Sequence, residues 1–260
     1  YTSQYTLSLH DALPIYEKAK NVLDFVKDHT DGILLKADVS DKNDCKRIVS
    51  DFVDEFGGLD ILVNNAGIFK KENFEETSID TFDKTMEVNV KGPFMLSKYS
   101  LKYLKNSESG RIINMSSHWA FSGGNQAPSY VVSKTALIGL TRALAQELGP
   151  MGITVNGIAP GTIETDMIES RYSEEDKRKR AENIPLRRLG KPEDIANLAL
   201  FLASEEGSYI NGEIVGVNGG STIHWTRFRG IGKIADNYFQ VNNSPPNGLY
   251  LQMVLSSLLF

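Results

Sequence analysis

The chain has 260 residues, 41% hydrophobic and 23% charged, which suits one large domain or two small ones with a buried core and excludes intrinsic disorder. A formal net charge of -5 gives no sign of a nucleic-acid partner. The single cysteine, Cys45, excludes an internal disulfide and a cysteine-ligated zinc site, so no metal is expected.

Few thiols fit a reducing compartment, and the cytoplasm is the expected location. The longest apolar run, Met253 to Phe260, is broken by Ser256 and Ser257 and is too short to span a bilayer. The first 15 residues carry no basic region ahead of an apolar stretch, so they do not read as a signal peptide.

In chain order, Tyr5 to Ile15 resembles a translated short-read sequencing adapter. Residues 1–15 are therefore expected to stand outside the native fold. Glu17 to Val26 reads as a helix, and Ile33 to Ala37 as a short strand ending at Asp38. Cys45, Ile48, Val49, Phe52, Val53 and Phe56 fall on one face of a second helix. Ile61 to Val63 is a buried-strand candidate, followed by Asn64-Asn-Ala-Gly67. One helix is expected from about Ile79 to Leu104, a strand from Arg111 to Met115, and a helix from Pro128 to Leu148. That last helix has Leu137, Leu140, Leu144 and Leu148 on one face. A strand follows from Thr154 to Ile158, leading to Pro160-Gly161. Arg171 to Glu182 is a mixed charge run that reads as a solvated helix. Pro192 to Ser204 is a helix with proline in its first turn, and Ile214 to Val217 the last strand. Short strands alternating with helices predict an α/β fold, a Rossmann-like doubly wound parallel sheet, in one domain over 16–220. Ligands then bind beyond the C-terminal ends of the strands. Residues 221–260 show no period of either kind and read as a tail of doubtful origin.

Tyr130 and Lys134 stand four apart on one helix face. An ammonium beside a phenol favours the phenolate, so the tyrosine pKa is expected to be lowered for acid–base work. Taken alone, such a pair is equally a solvated helix face. Ser117 lies thirteen residues upstream, just past a strand, where a hydroxyl can donate to a carbonyl oxygen as charge develops. A backbone-satisfied turn would explain Ser116 and Ser117 as well. Asn64 to Gly67 and Pro160-Gly161 follow two other strands, where plain turns are the bland alternative. Asn89 is a poor helix former in mid-helix with no cap role.

Together these pieces resemble the short-chain dehydrogenase/reductase family. The resemblance spans about 16–220 and includes Asp38-Val39, Asn64-Asn-Ala-Gly67, Asn89, Ser117, Tyr130-x-x-x-Lys134, Pro160-Gly161 and Val217-Asn-Gly-Gly220. Pro160 to Met167 and Leu189 to Ile195 are closest to the 3-oxoacyl-acyl-carrier-protein reductases, though alcohol and sugar dehydrogenases share them. The resemblance implies NAD or NADP as cofactor and a small carbonyl or alcohol substrate. Tyr130 would exchange the proton, Lys134 would lower its pKa and hold the nicotinamide ribose, and Ser117 would polarise the carbonyl. Asn89 would anchor a water beside Lys134. Asp38 and Val39 would meet the adenine, and Asn64, Ala66 and Gly67 the cofactor ribose. Pro160, Gly161, Ile163 and Thr165 would hold the nicotinamide end. Met167, Ile168 and Tyr172 would touch substrate, and Trp119 would either line the cleft or pack. His118 reads as a surface residue. A homotetramer through the helices at Ile79–Leu104 and Pro128–Leu148 is implied.

The family's opening strand, Thr-Gly-x-x-x-Gly-x-Gly turn and helix do not occur. The sheet is therefore expected to lack its first two strands and first helix. The chain is expected to fold poorly and to bind dinucleotide weakly or not at all. Glu108 stands where carrier-protein reductases often have a basic docking residue, which leaves a small free ketone, alcohol or sugar open. A dinucleotide sensor without catalysis and an inactive fragment are the rival readings. The intact Ser117, Tyr130 and Lys134 set argues against the sensor.

Overall fold

The computed structural model describes residues 5–7, 13–165 and 172–223, with side chains from Ala19 onward. Met167, Ile168 and residues 224–260 of the expected tail lie outside the described residues. The chain divides into two units, Tyr1–Thr222 and Ile223–Phe260, and the elements below belong to the first.

Strands β1 (Tyr5–Leu7) and β2 (Gly32–Leu34) flank helix α1 (Leu13–Lys27). Next come α2 (Lys42–Phe56), β3 (Ile61–Asn64), α3 (Ile79–Met86) and α4 (Gly92–Leu104). They are followed by β4 (Arg111–Met115), the short α5 (Trp119–Ser122), α6 (Pro128–Leu148) and β5 (Thr154–Pro160). The unit ends with α7 (Glu174–Glu182), α8 (Pro192–Ala203) and β6 (Ile214–Val217). Local chemistry sets the boundaries. Asp41 caps α2 by accepting from the N–H groups of Asn43 and Asp44, and Gly57, at φ 79°, closes it in the left-handed region. Ser173 and Asp176 form a capping box at α7.

Four strands form a parallel sheet in the order β3-β4-β5-β6, and β1 pairs in parallel with β2 in a separate two-stranded sheet. The β4–β5 register runs from Arg111 opposite Thr154 to Met115 opposite Ile158. Side chains alternate across the sheet. Ile112 and Val155 pack with Phe52 of α2, Leu104 of α4 and Leu148 of α6, whereas Ile113, Met115 and Ile158 pack with Leu202 of α8. Helices therefore cover both faces, and the sheet is doubly wound. Because every pair is parallel, β3, β4 and β5 end on one edge.

β1 and the first residues of α1 fall within residues 1–15. Tyr5-Thr6-Leu7 is a β-prone triplet and pairs along β2. The strand expected over Ile33–Ala37 is only Gly32–Leu34, the three residues that pair with β1. The long helix from Ile79 to Leu104 is broken by a π-turn at Glu87–Lys91, where the Gly92 N–H reaches the Glu87 carbonyl. Pro93 has no N–H to continue the α ladder, which favours the wider turn. Among the described residues no helix is long and apolar enough to cross a membrane.

Candidate active site

The site is built where β4 stops and α6 begins. The buried stripe of α6 runs through Ser133, Lys134, Leu137, Ile138, Thr141, Ala145 and Leu148. Lys134 is thus a charged side chain at a core position, only 5% exposed. Its Nζ donates to the Met115 carbonyl at the end of β4 at 2.7 Å, and lies 5.6 Å from the centre of the Tyr130 ring. Burial lowers its pKa from 10.5 to about 8.

The phenol of Tyr130 does not behave as the spacing suggests. Its pKa is raised, because desolvation outweighs the opposing hydrogen bond with Ser117. The expected lowering is outweighed because burial of the phenol penalises its charged form. Ser117 is buried, and its Oγ also accepts from the Trp119 N–H at 3.2 Å. Ser116 acts differently. Its hydroxyl donates to the Lys134 carbonyl at 2.8 Å and so joins β4 to α6.

Asn89 sits in the π-turn and is fully buried. It accepts from the Ile68 N–H at 2.8 Å and donates to the Ile68 carbonyl and the Ser133 hydroxyl, each at 2.9 Å. This clamp fixes the loop after β3 against α6. The loop passes so closely that a Cβ at Gly67 would stand 3.2 Å from Asn89 Oδ1 and 3.3 Å from Lys134 Nζ.

A cleft of about 560 Å³ opens over these groups. Ser117, Tyr130, Lys134, Gly67, Pro160, Gly161, Ile163 and Thr165 all line it. Gly161 is required at its place, since a Cβ there would lie 2.7 Å from the Asn218 Cα. The other assigned residues lie elsewhere. Asn64 is buried and donates to Asn114 at 2.8 Å and Ser97 at 3.3 Å, and Ala66 packs on the core that holds Val39. Asp38 meets Ser40 and, at 3.6 Å, Lys84. Trp119, Tyr172 and His118 are cleft residues. His118 is half-buried rather than on the surface, bonded to Thr222 at 3.1 Å, with its pKa lowered by burial. Sequence reasoning missed Asn65, Phe69 and Arg180 in the lining. For Phe69 a signal existed: an aromatic two residues past Gly67 in a loop at a strand end.

The family model for enoyl-(acyl carrier protein) reductase matches residues 12–222. The chain is 43% identical over 212 residues to an uncharacterized oxidoreductase of Thermotoga maritima, covering 79% of this chain and 84% of that protein. It is 47% identical over 163 residues to a 3-oxoacyl-[acyl-carrier-protein] reductase of Aquifex aeolicus, covering 63% and 65%. A blue fluorescent protein from a metagenomic library, solved in complex with NADPH, superposes with a TM-score of 0.77 at 30% identity, covering 85% of this chain and 87% of that one.

Proposed function

The chain belongs to the short-chain dehydrogenase/reductase family, whose members are NAD(P)-dependent oxidoreductases, and we propose that its cleft reduces a 3-oxoacyl thioester or a related small carbonyl. The cofactor, NAD or NADP, supplies the hydride when bound. The cleft residues fit its nicotinamide end: Gly67 and Gly161 leave room beside Lys134 and Asn218 that any side chain would fill. The chain has no glycine-rich turn for the pyrophosphate.

The chain's own groups divide the remaining work. Tyr130 holds the proton that passes to the carbonyl oxygen, and its raised pKa keeps the phenol protonated at neutral pH. Ser117 donates a hydrogen bond to the same oxygen as charge develops. Lys134, with its pKa near 8, places an ammonium beneath the ring and favours proton release from it. Asn89 and Ser116 hold the loop after β3 and α6 in position. The cytoplasm and a homotetramer complete the proposal. Exposed Phe94 of α4 and Val132 of α6 support the assembly, and sedimentation velocity tests it.

The observation that carries the reading is the convergence of Ser117, Tyr130 and Lys134 on one cleft. Oxidation of NADPH and NADH by an acetoacetyl thioester tests it, with Tyr130→Phe as the control. A rate that does not depend on Tyr130 contradicts it. A second reading, a small free carbonyl without a carrier, is favoured by exposed Glu108 between α4 and β4. Comparing carrier-bound and free acetoacetyl thioesters separates the two.

A further inference from the structure

Helix α7 carries four basic residues, and three are engaged by acids of the same helix. Lys177 pairs with Glu174 at 2.6 Å, Lys179 with Glu175 at 2.7 Å and Arg178 with Glu182 at 3.9 Å. Arg180 is the exception. Among the described residues it has no carboxylate partner within ion-pair distance. Its guanidinium instead stacks on the Tyr172 ring, 3.8 Å from the ring centre, and both residues line the catalytic cleft.

Stacking occupies the face of a guanidinium and leaves its N–H edge for a planar acceptor. The cleft is suited to such an acceptor. Among the described residues no aspartate or glutamate lines it. Its other cationic residue, Lys134, is buried and already donates to Met115. His118 is held toward its neutral form by burial. Among the described lining residues, Arg180 is therefore the available cation. Opposite in character, Phe69, Trp119 and Tyr130 form an aromatic wall, with Phe69 and Tyr130 edge to face at 4.9 Å and Trp119 and Tyr130 at 6.2 Å. This wall suits a short carbon stem.

Building on the reading of the cleft as a carbonyl-reducing site, we infer that it also accepts a free oxo acid, whose carboxylate pairs with the Arg180 guanidinium stacked on Tyr172 while its carbonyl meets Ser117 and Tyr130. A charge-assisted bidentate contact of this kind should favour the anion ~10-fold or more.

Trp119 provides a readout that needs neither cofactor nor turnover. The full chain has two tryptophans, so Trp225→Phe leaves Trp119 as the reporter. Its emission is titrated with 4-oxopentanoate and with the methyl ester of the same acid. The carboxylate should bind ~10-fold or more tightly than the ester. Arg180→Gln should remove that preference and leave ester affinity unchanged, and Arg180→Lys should keep part of it. Equal affinity for the two ligands, binding of neither, or a preference that survives Arg180→Gln overturns the inference. NADPH is titrated in parallel. If Arg180→Gln weakens NADPH and not the carboxylate, the guanidinium serves the cofactor's phosphates and the inference fails. A carboxylate preference without Tyr130-dependent turnover of any carbonyl would sink the oxidoreductase reading and leave the carboxylate site standing. Tyr130-dependent turnover without the preference would do the reverse.

Discussion

The two parallel sheets of the first unit differ sharply in burial. Every residue of β4 is buried, and β5 is buried from Thr154 to Ala159. The β1–β2 pair is three residues long, and β2 is only partly buried. Among the described residues β3 is hydrogen-bonded to no strand but β4, and Ile61 and Val63 remain 42% and 46% exposed. The chemistry belongs to the well-buried side. Ser117 and Lys134 are held there by packing on both faces of the sheet, which fixes their positions before any ligand arrives. Asp38, the residue assigned to the adenine, follows β2 on the sparsely paired side. Among the described residues the outer edge of β3 has no strand partner, and an unpaired backbone group contributes about 1 kcal/mol less than a paired one. The contrast predicts a competent proton-transfer centre combined with weak dinucleotide affinity.

The largest effect that sharpens this contrast should come from Ser117→Ala, which should lower kcat ~10²- to 10³-fold by removing a donor to the developing oxyanion. Ser116→Ala, in the next residue, removes only a tie to the Lys134 carbonyl and should cost far less. Similar kcat losses in the two variants, measured at saturating substrate, would break the distinction between reacting and supporting hydroxyls. Gly67→Ala comes next. Its Cβ would press on Asn89 and Lys134, and a shift of the lysine by a fraction of an ångström should cost up to ~10² in kcat. Unchanged kinetics would mean that the loop yields.

A pH effect follows in size. The folded pKa of Lys134 lies near 8, below its ordinary 10.5, so the unfolded chain binds more protons between these values. Stability should therefore rise with pH from 8 to 10.5, by on the order of 3 kcal/mol from this group. Urea midpoints of the parent and of Lys134→Met should converge as pH rises, since the variant lacks the burial cost. A constant difference across that window would place the ammonium in a less demanding environment. The smallest effect should come from Thr6→Pro. It removes a strand donor from a pairing too short to contribute much, so the shift should stay under about 1 kcal/mol in thermal unfolding. A large loss of activity would show that the N-terminal pair supports the cleft.

Much of the buried side was legible in the sequence. The limits of α6, β4 and β6 agree with the observed ones, because proline, glycine and apolar runs punctuate them. Ser117, Tyr130 and Lys134 were singled out by a family resemblance and not by spacing alone, and their convergence on one cleft is visible only in the structure. Arg180 was not, because its charge run reads as solvated helix until Tyr172 is seen beneath the guanidinium. Asn64, expected at the cofactor ribose, has its side chain in the core, and the next residue, Asn65, lines the cleft. The raised pKa of Tyr130 was invisible too. It follows from how deeply the phenol is buried, and spacing along a helix does not reveal that.

The most direct test of the central claim is isotopic. The chain is incubated with an acetoacetyl thioester and NADPH doubly deuterated at nicotinamide C4, at millimolar concentration to offset weak binding. Mass spectrometry then reads the hydroxyacyl product. Deuterium in the product from the parent chain, and none from Tyr130→Phe, is the predicted result. Unlabelled product, or equal labelling in the variant, would contradict the assignment of hydride transfer to this cleft.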